Sequence, residues 1–145
     1  MNTYVCLLER DHWCSLNALW AIMTRRDLVP DNVLVLHRGP YPKSFEDNVR
    51  WLISTYGVDA TLTFKEITTF ELARRDIANF LSPGASGKRI LDISGGSPES
   101  VAGIMMDGLN GDFEHVFYLS SEIPMHSPYP VLDQTKLRLK DLLED

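Results

Sequence analysis

The sequence predicts an α/β domain: a mostly parallel sheet of strand order 3-2-1-4-5 with helices on both faces. Three observations lead there. Short apolar runs alternate with helix-period segments along the chain. Four of these runs lack the polar alternation of a half-exposed strand, which suits strands covered on both faces. The third run does alternate, which places it at an edge.

The elements follow in order. Asn2–Leu8 is the first strand, and Cys6 within it reads as a small core residue. The polar stretch Glu9–Trp13 follows. A helix over about Ser15–Arg26 carries Leu16, Leu19, Trp20 and Met23 at helical spacing, with Arg25 and Arg26 suiting its C-terminal end. Asn32–His37 is the second strand. A helix over Ser44–Tyr56 presents Phe45, Val49, Leu52, Ile53 and Tyr56, and Gly57 suits its end. Asp59–Phe64 is the alternating strand. Thr69–Leu81 is helical, with Ile77 and Phe80 inward, and Ser82–Gly87 is a loop. Arg89–Ile93 is the fourth strand. Ser97 is a good N-cap and Pro98 a good first residue for a helix reaching Met106. His115–Ser120 is the fifth strand. Past the proline-rich stretch 123–130, Val131–Leu143 reads as a last helix through Leu132, Thr135, Leu139 and Leu142, with a strand over 136–139 as the other reading.

Size and composition narrow the function. The chain has 145 residues, which predicts one domain over its whole length. The net charge of −6 argues against a protein that coats long DNA or RNA. No apolar run reaches the ~20 residues of a membrane helix, and no leader pattern opens the chain, so a cytoplasmic protein is expected. Cys6 and Cys14 form no CxxC, and no metal-ligand spacing is present, so neither a metal nor a cofactor is expected. The first loop has no glycine fingerprint and the chain no P-loop, which argues against dinucleotide and ATP sites.

The strand order puts a topological switch between the first and fourth strands, where open α/β sheets bind ligands. Two polar loops should therefore meet: Glu9-Arg10-Asp11-His12-Trp13-Cys14-Ser15 and Ser94-Gly95-Gly96-Ser97. A glycine turn before a helix suits a phosphate, because free N–H groups point at one spot and glycine permits close approach. It equally suits a tight turn with no ligand. His12 fits a general acid or base, since its ordinary pKa lies near neutrality. Arg10, a cation beside a helix N-terminus, suggests an anion nearby. Asp11 and Glu9 fit orienting a histidine or a ribose hydroxyl, and Asp11 also fits capping the helix. Ser15 fits a phosphate contact or a cap. Trp13 fits stacking on a base or plain packing. His37 and Arg38 are further candidates with an exposed-loop reading, and His126, in the tail loop, fits a place at a dimer interface. Asp92 reads as fixing its own turn.

The stretch Ile90-Leu91-Asp92-Ile93-Ser94-Gly95-Gly96-Ser97, with the first strand and its polar loop, Asp31–His37, Phe117-Tyr118-Leu119 and Pro128-Tyr129-Pro130, resembles the CARF domains. These are CRISPR-associated Rossmann-like domains that bind cyclic oligoadenylates. Many members carry a lysine just after the turn, where this chain has Pro98. The resemblance implies a homodimer with a cyclic oligoadenylate across its two-fold axis. It also implies a freestanding ring nuclease that cleaves the ring, cyclic tetra-adenylate foremost, by metal-independent attack of a ribose 2′-OH. Two alternatives are a sensor or sponge that binds without cutting, and an unrelated small α/β enzyme using the same cleft.

Overall fold

The computed structural model describes residues 1–81, 87–106 and 112–144. The expected loop at 82–86 lies outside them. Six strands form one sheet: β1 (Thr3–Leu8), β2 (Asn32–His37), β3 (Thr61–Glu66), β4 (Arg89–Asp92), β5 (His115–Ser121) and β6 (Leu137–Asp141). Their order is β3-β2-β1-β4-β5-β6. The first five are parallel and β6 runs antiparallel to β5. Four helices connect them: α1 (His12–Arg26), α2 (Lys43–Ser54), α3 (Phe70–Phe80) and α4 (Pro98–Met106). The predicted fold class and strand order are those observed, with one strand added at the far edge.

Alternation along the strands makes two cores. Tyr4, Cys6 and Leu8 of β1, with Val33 and Val35 of β2, pack beneath Leu16, Leu19 and Ile22 of α1 and Phe45, Val49 and Leu52 of α2. Val5 and Leu7, with Leu34 and Leu36, pack beneath Ile77 of α3 and Ile104 of α4. Both faces of β1 and β2 are thus covered, which is why these runs show no polar alternation. β3 is half-exposed and lies at the edge, as its pattern predicts.

The C-terminal segment departs from the helix expected over Val131–Leu143. Two single 3-10 turns, Tyr129–Val131 and Gln134–Lys136, lead into β6. The strand reading of this stretch is the one that holds. Prolines at 128 and 130 remove N–H donors from the approach. Asp133 accepts from the Thr135 amide (3.0 Å) and hydroxyl (2.6 Å), holding a turn instead of a helix. Buried Leu137 and half-buried Leu139 then alternate with exposed Arg138 and Lys140, a strand period.

This segment also explains α1. Ala18 and Ala21, on the side of α1 away from β1, pack against Tyr129 and Leu137. Arg25 clamps the join: its Nε donates to the Tyr129 hydroxyl (2.7 Å) and its Nη1 to the Leu137 carbonyl (3.1 Å). Replacing it should release the strand from the helix. Arg25→Ala is expected to lower the unfolding free energy by about 1–3 kcal/mol and to speed amide exchange over Leu137–Asp141. Exchange at the wild-type rate would show that the segment is held without it.

Candidate functional site at the carboxyl edge of the sheet

The loops after β1 and β4 meet. The Glu9 amide donates to the Gly95 carbonyl at 2.9 Å. The Glu9 carboxylate, fully shielded from solvent, then reaches the start of α4. It accepts from the Ser97 amide (3.1 Å), the Ser97 hydroxyl (3.2 Å) and the Ser100 hydroxyl (3.0 Å). Arg38, just after β2, donates from Nε to the same carboxylate at 2.6 Å, and from Nη1 to the Thr68 carbonyl ahead of α3 at 3.1 Å. One side chain therefore joins the ends of β1 and β2 and the start of α4, and Arg38 adds the approach to α3.

Glu9 occupies the place where the sequence suggests a phosphate. Its negative charge suits the positive end of the α4 dipole. Burial alone would push its carboxyl up. The bonds from Arg38, the Ser97 amide and the Ser100 hydroxyl, with the Arg38 charge, outweigh burial and hold it below the ordinary glutamate value.

The double glycine has a packing cause. A Cβ on Gly95 would fall 2.1 Å from Ser15 Oγ and 2.4 Å from the Leu7 carbonyl oxygen. One on Gly96 would fall 2.6 Å from Leu7 Cδ1. The turn is pressed against β1 and α1, so both glycines are buried by the protein itself. Ser15 is buried and donates to the Leu7 carbonyl (3.1 Å). Ser94 is buried and accepts from the Leu119 amide (2.9 Å). Asp92 is buried and accepts from the Ser94 amide (2.9 Å) and the Tyr4 hydroxyl (2.6 Å), fixing the turn as its position suggests. Burial pushes the Asp92 carboxyl and the Tyr4 hydroxyl upward. Ser97 caps α4, accepting from the Ser100 amide (3.2 Å). Thus Ser15, Ser94, Gly95 and Gly96 build the floor, and Glu9 and Ser97 join across it.

The groups that face outward lie on the first loop. Arg10, Asp11 and His12 are exposed. Among the described residues, no hydrogen bond or ion pair engages the Arg10 guanidinium. α1 begins at His12, earlier than the expected Ser15, because Asp11 caps it: Oδ1 accepts from the Trp13 amide at 2.8 Å. The other oxygen, Oδ2, lies 3.5 Å from His126 Nδ1. The His12 ring instead meets Phe45 edge-on, with centroids 5.7 Å apart. The histidine beside Asp11 is thus His126. Asn17 of α1 places its loop by donating from Nδ2 to the Ser127 carbonyl (3.0 Å). Sequence spacing alone does not show this pairing.

A second group missed by the sequence lies beside the loop. Trp13, half-buried, lines a cleft with Leu16, Trp20, Asn48, Trp51 and Pro128. Trp51 lies off the apolar stripe of α2, a signal readable from position alone. At the opposite edge, His115, Asp141 and Glu144 bring three potential ligand atoms within 4.8 Å of one another. These side chains are engaged internally: Asp141 with His115 (2.6 Å) and Glu144 with Arg26 (3.0 Å). This arrangement pins the end of β6 to β5.

Compared with known proteins, the chain matches no family model and no curated sequence.

The Glu9 cluster has a pH signature. Its carboxyl is held low in the fold, so the stability it adds is present above the ordinary glutamate pKa of about 4.3 and is lost as pH falls through the lower folded value. Glu9→Gln is expected to be less stable than wild type at pH 7, and urea titrations should show this gap closing in acid. A gap equally wide at pH 3 would show that the charge is not what holds the loops.

Proposed function

We propose that this chain is a ring nuclease: as a homodimer it binds a cyclic oligoadenylate, cyclic tetra-adenylate foremost, at the carboxyl edge of the sheet and cleaves it without a metal. The observation that carries the reading is the 2.9 Å bond from the Glu9 amide to the Gly95 carbonyl, which joins two distant loops at the switch point. The arrangement of the first loop supports it further, since Arg10 and His12 face solvent there and His126 stands against Asp11.

The chemistry needs a nucleophile, a proton acceptor, a proton donor and a charge for the crowded phosphorus. The substrate brings the nucleophile. Its ribose 2′-oxygen bonds to the adjacent phosphorus, the bond from phosphorus to the 5′-oxygen breaks, and the products are a 2′,3′-cyclic phosphate and a 5′-hydroxyl. Alignment of those atoms lowers the barrier before any acid or base acts. His12 and His126 supply the two proton positions, Asp11 orients His126, and Arg10 meets the phosphate charge. The seat at the α4 N-terminus is filled by Glu9, so phosphate recognition falls to the exposed cation and not to the glycine turn. A net charge of −6 leaves this local contact decisive.

One observation favours the sensor reading. The His12 ring lies against Phe45, and among the described residues no carboxylate orients it. A loop built this way binds an anion without committing a base.

Turnover separates the two. Incubation with cyclic tetra-adenylate in EDTA is expected to yield linear di-adenylate. Intact ring held tightly would establish the sensor, and no affinity for rings of any size would remove both. His12→Ala is expected to slow single-turnover cleavage about 10²- to 10⁴-fold with little loss of binding. An unchanged rate would take His12 out of the mechanism.

A further inference from the structure

We propose that the cleft between α1 and α2 is a base-binding slot that takes one planar purine ring. All three tryptophans of the chain, Trp13, Trp20 and Trp51, line it, with Leu16, Asn48 and Pro128. The cavity measures about 220 Å³.

Its walls are ring faces set at an angle. Trp20 and Trp51 meet at 69° with centroids 6.1 Å apart, so they form a corner and do not close on each other. Trp20 lies near-parallel to Tyr129, at 28° and 6.4 Å. The Tyr129 hydroxyl is in turn held by Arg25. That wall is therefore rigid before anything binds, which reduces the entropy lost on binding. Trp51 is 58% exposed, a large apolar face left in water on a helix whose apolar stripe points elsewhere.

The chemistry of the lining selects the occupant. Among the described residues, no charged side chain lines the cleft, so it does not suit a phosphate. Asn48 is exposed and offers one amide donor beside one carbonyl acceptor. That pair matches the N6 amino group and N7 of adenine. Aromatic walls supply stacking, which holds bases by their faces. A proline-rich peptide fits less well: it needs an extended run of aromatic grooves, whereas this cleft is a single chamber with Pro128 as one wall.

The slot adjoins the site already described. Trp13 follows His12 directly, and its amide is bound by Asp11. A base seated on Trp13 would leave its ribose and phosphate near Arg10 and His12. That the base belongs to a cyclic oligoadenylate rests on the ring-nuclease reading, whereas purine stacking in the slot and the Asn48 match to adenine do not.

Because every tryptophan lies in the slot, tryptophan emission, excited at the red edge where tyrosine does not absorb, reports on it. Adenosine is expected to change that emission saturably, and Trp51→Ala to weaken adenosine binding about tenfold or more. Asn48→Ala should lessen the preference for adenosine over inosine. Emission unmoved by millimolar adenosine would overturn the proposal. So would a Trp51→Ala protein, folded by circular dichroism, that binds adenosine normally. Wild-type protein whose emission shifts with its own concentration while adenosine has no effect would assign the face to a second copy and overturn it too. Saturable adenosine binding lost in Trp51→Ala, with cyclic tetra-adenylate neither bound nor cut, would retain the slot and remove the ring nuclease. Cleavage of the ring with unchanged affinity in Trp51→Ala would do the reverse.

Discussion

The carboxylate of Glu9 is the constraint on which the carboxyl edge depends. An isolated buried carboxylate is costly, and this one is tolerated because each oxygen is engaged. Its partners come from just after β2 and from the start of α4, which follows β4; β2 and β4 flank β1 on opposite sides. Removing the carboxylate would leave two serine hydroxyls, one amide and a guanidinium without their common acceptor. The convergence of the two loops is thus not a passive result of strand order. It is held by a charge buried at the switch point.

That constraint accounts for how the double glycine is used. A glycine turn before a helix commonly frees N–H groups for an outside anion. Here the anion is supplied by the chain. Gly95 and Gly96 are small because β1 and α1 lie against them, and the bare turn lets Glu9 reach Ser97. The same sequence signature therefore serves internal closure, and in the proposed function ligand recognition falls to the rim, where Arg10, His12 and His126 stand.

Much of the fold was legible because burial leaves a period in the sequence. Covered strands read as unbroken apolar runs, and β3 reads as alternating because it has one open side. The last segment was less legible. Leu132, Thr135, Leu139 and Leu142 imitate a helix spacing by accident, while Leu137 and Leu139 carry the true period of 2. An open edge at β5 chose between them, and only the assembled sheet has that edge. In the site, strand order was enough to bring the loops after β1 and β4 together. It could not tell that Ser15 turns inward to Leu7 while Arg10 turns out, because a residue's direction at a helix start depends on where the cap falls. Asp11 moved that point to His12. The pairing of Asp11 with His126 spans most of the chain and leaves no local mark.

The distribution of charge and aromatic surface then separates two tasks. The rim offers one exposed cation, Arg10, beside His12 and His126, which in the proposed function suits the sugar-phosphate part of a ligand. The cleft beside it offers indole faces and one amide and, among the described residues, no charge, which suits the proposed base. Trp13 touches both, since the residue that begins the cleft is also the one whose amide caps on Asp11. A helix start held by that aspartate therefore sets the distance between the indole faces and the exposed Arg10 and His12. An arrangement of this kind discriminates by length as well as by chemistry: a ligand whose base and phosphate are spaced to match gains both contacts, and a free base or a free phosphate gains one.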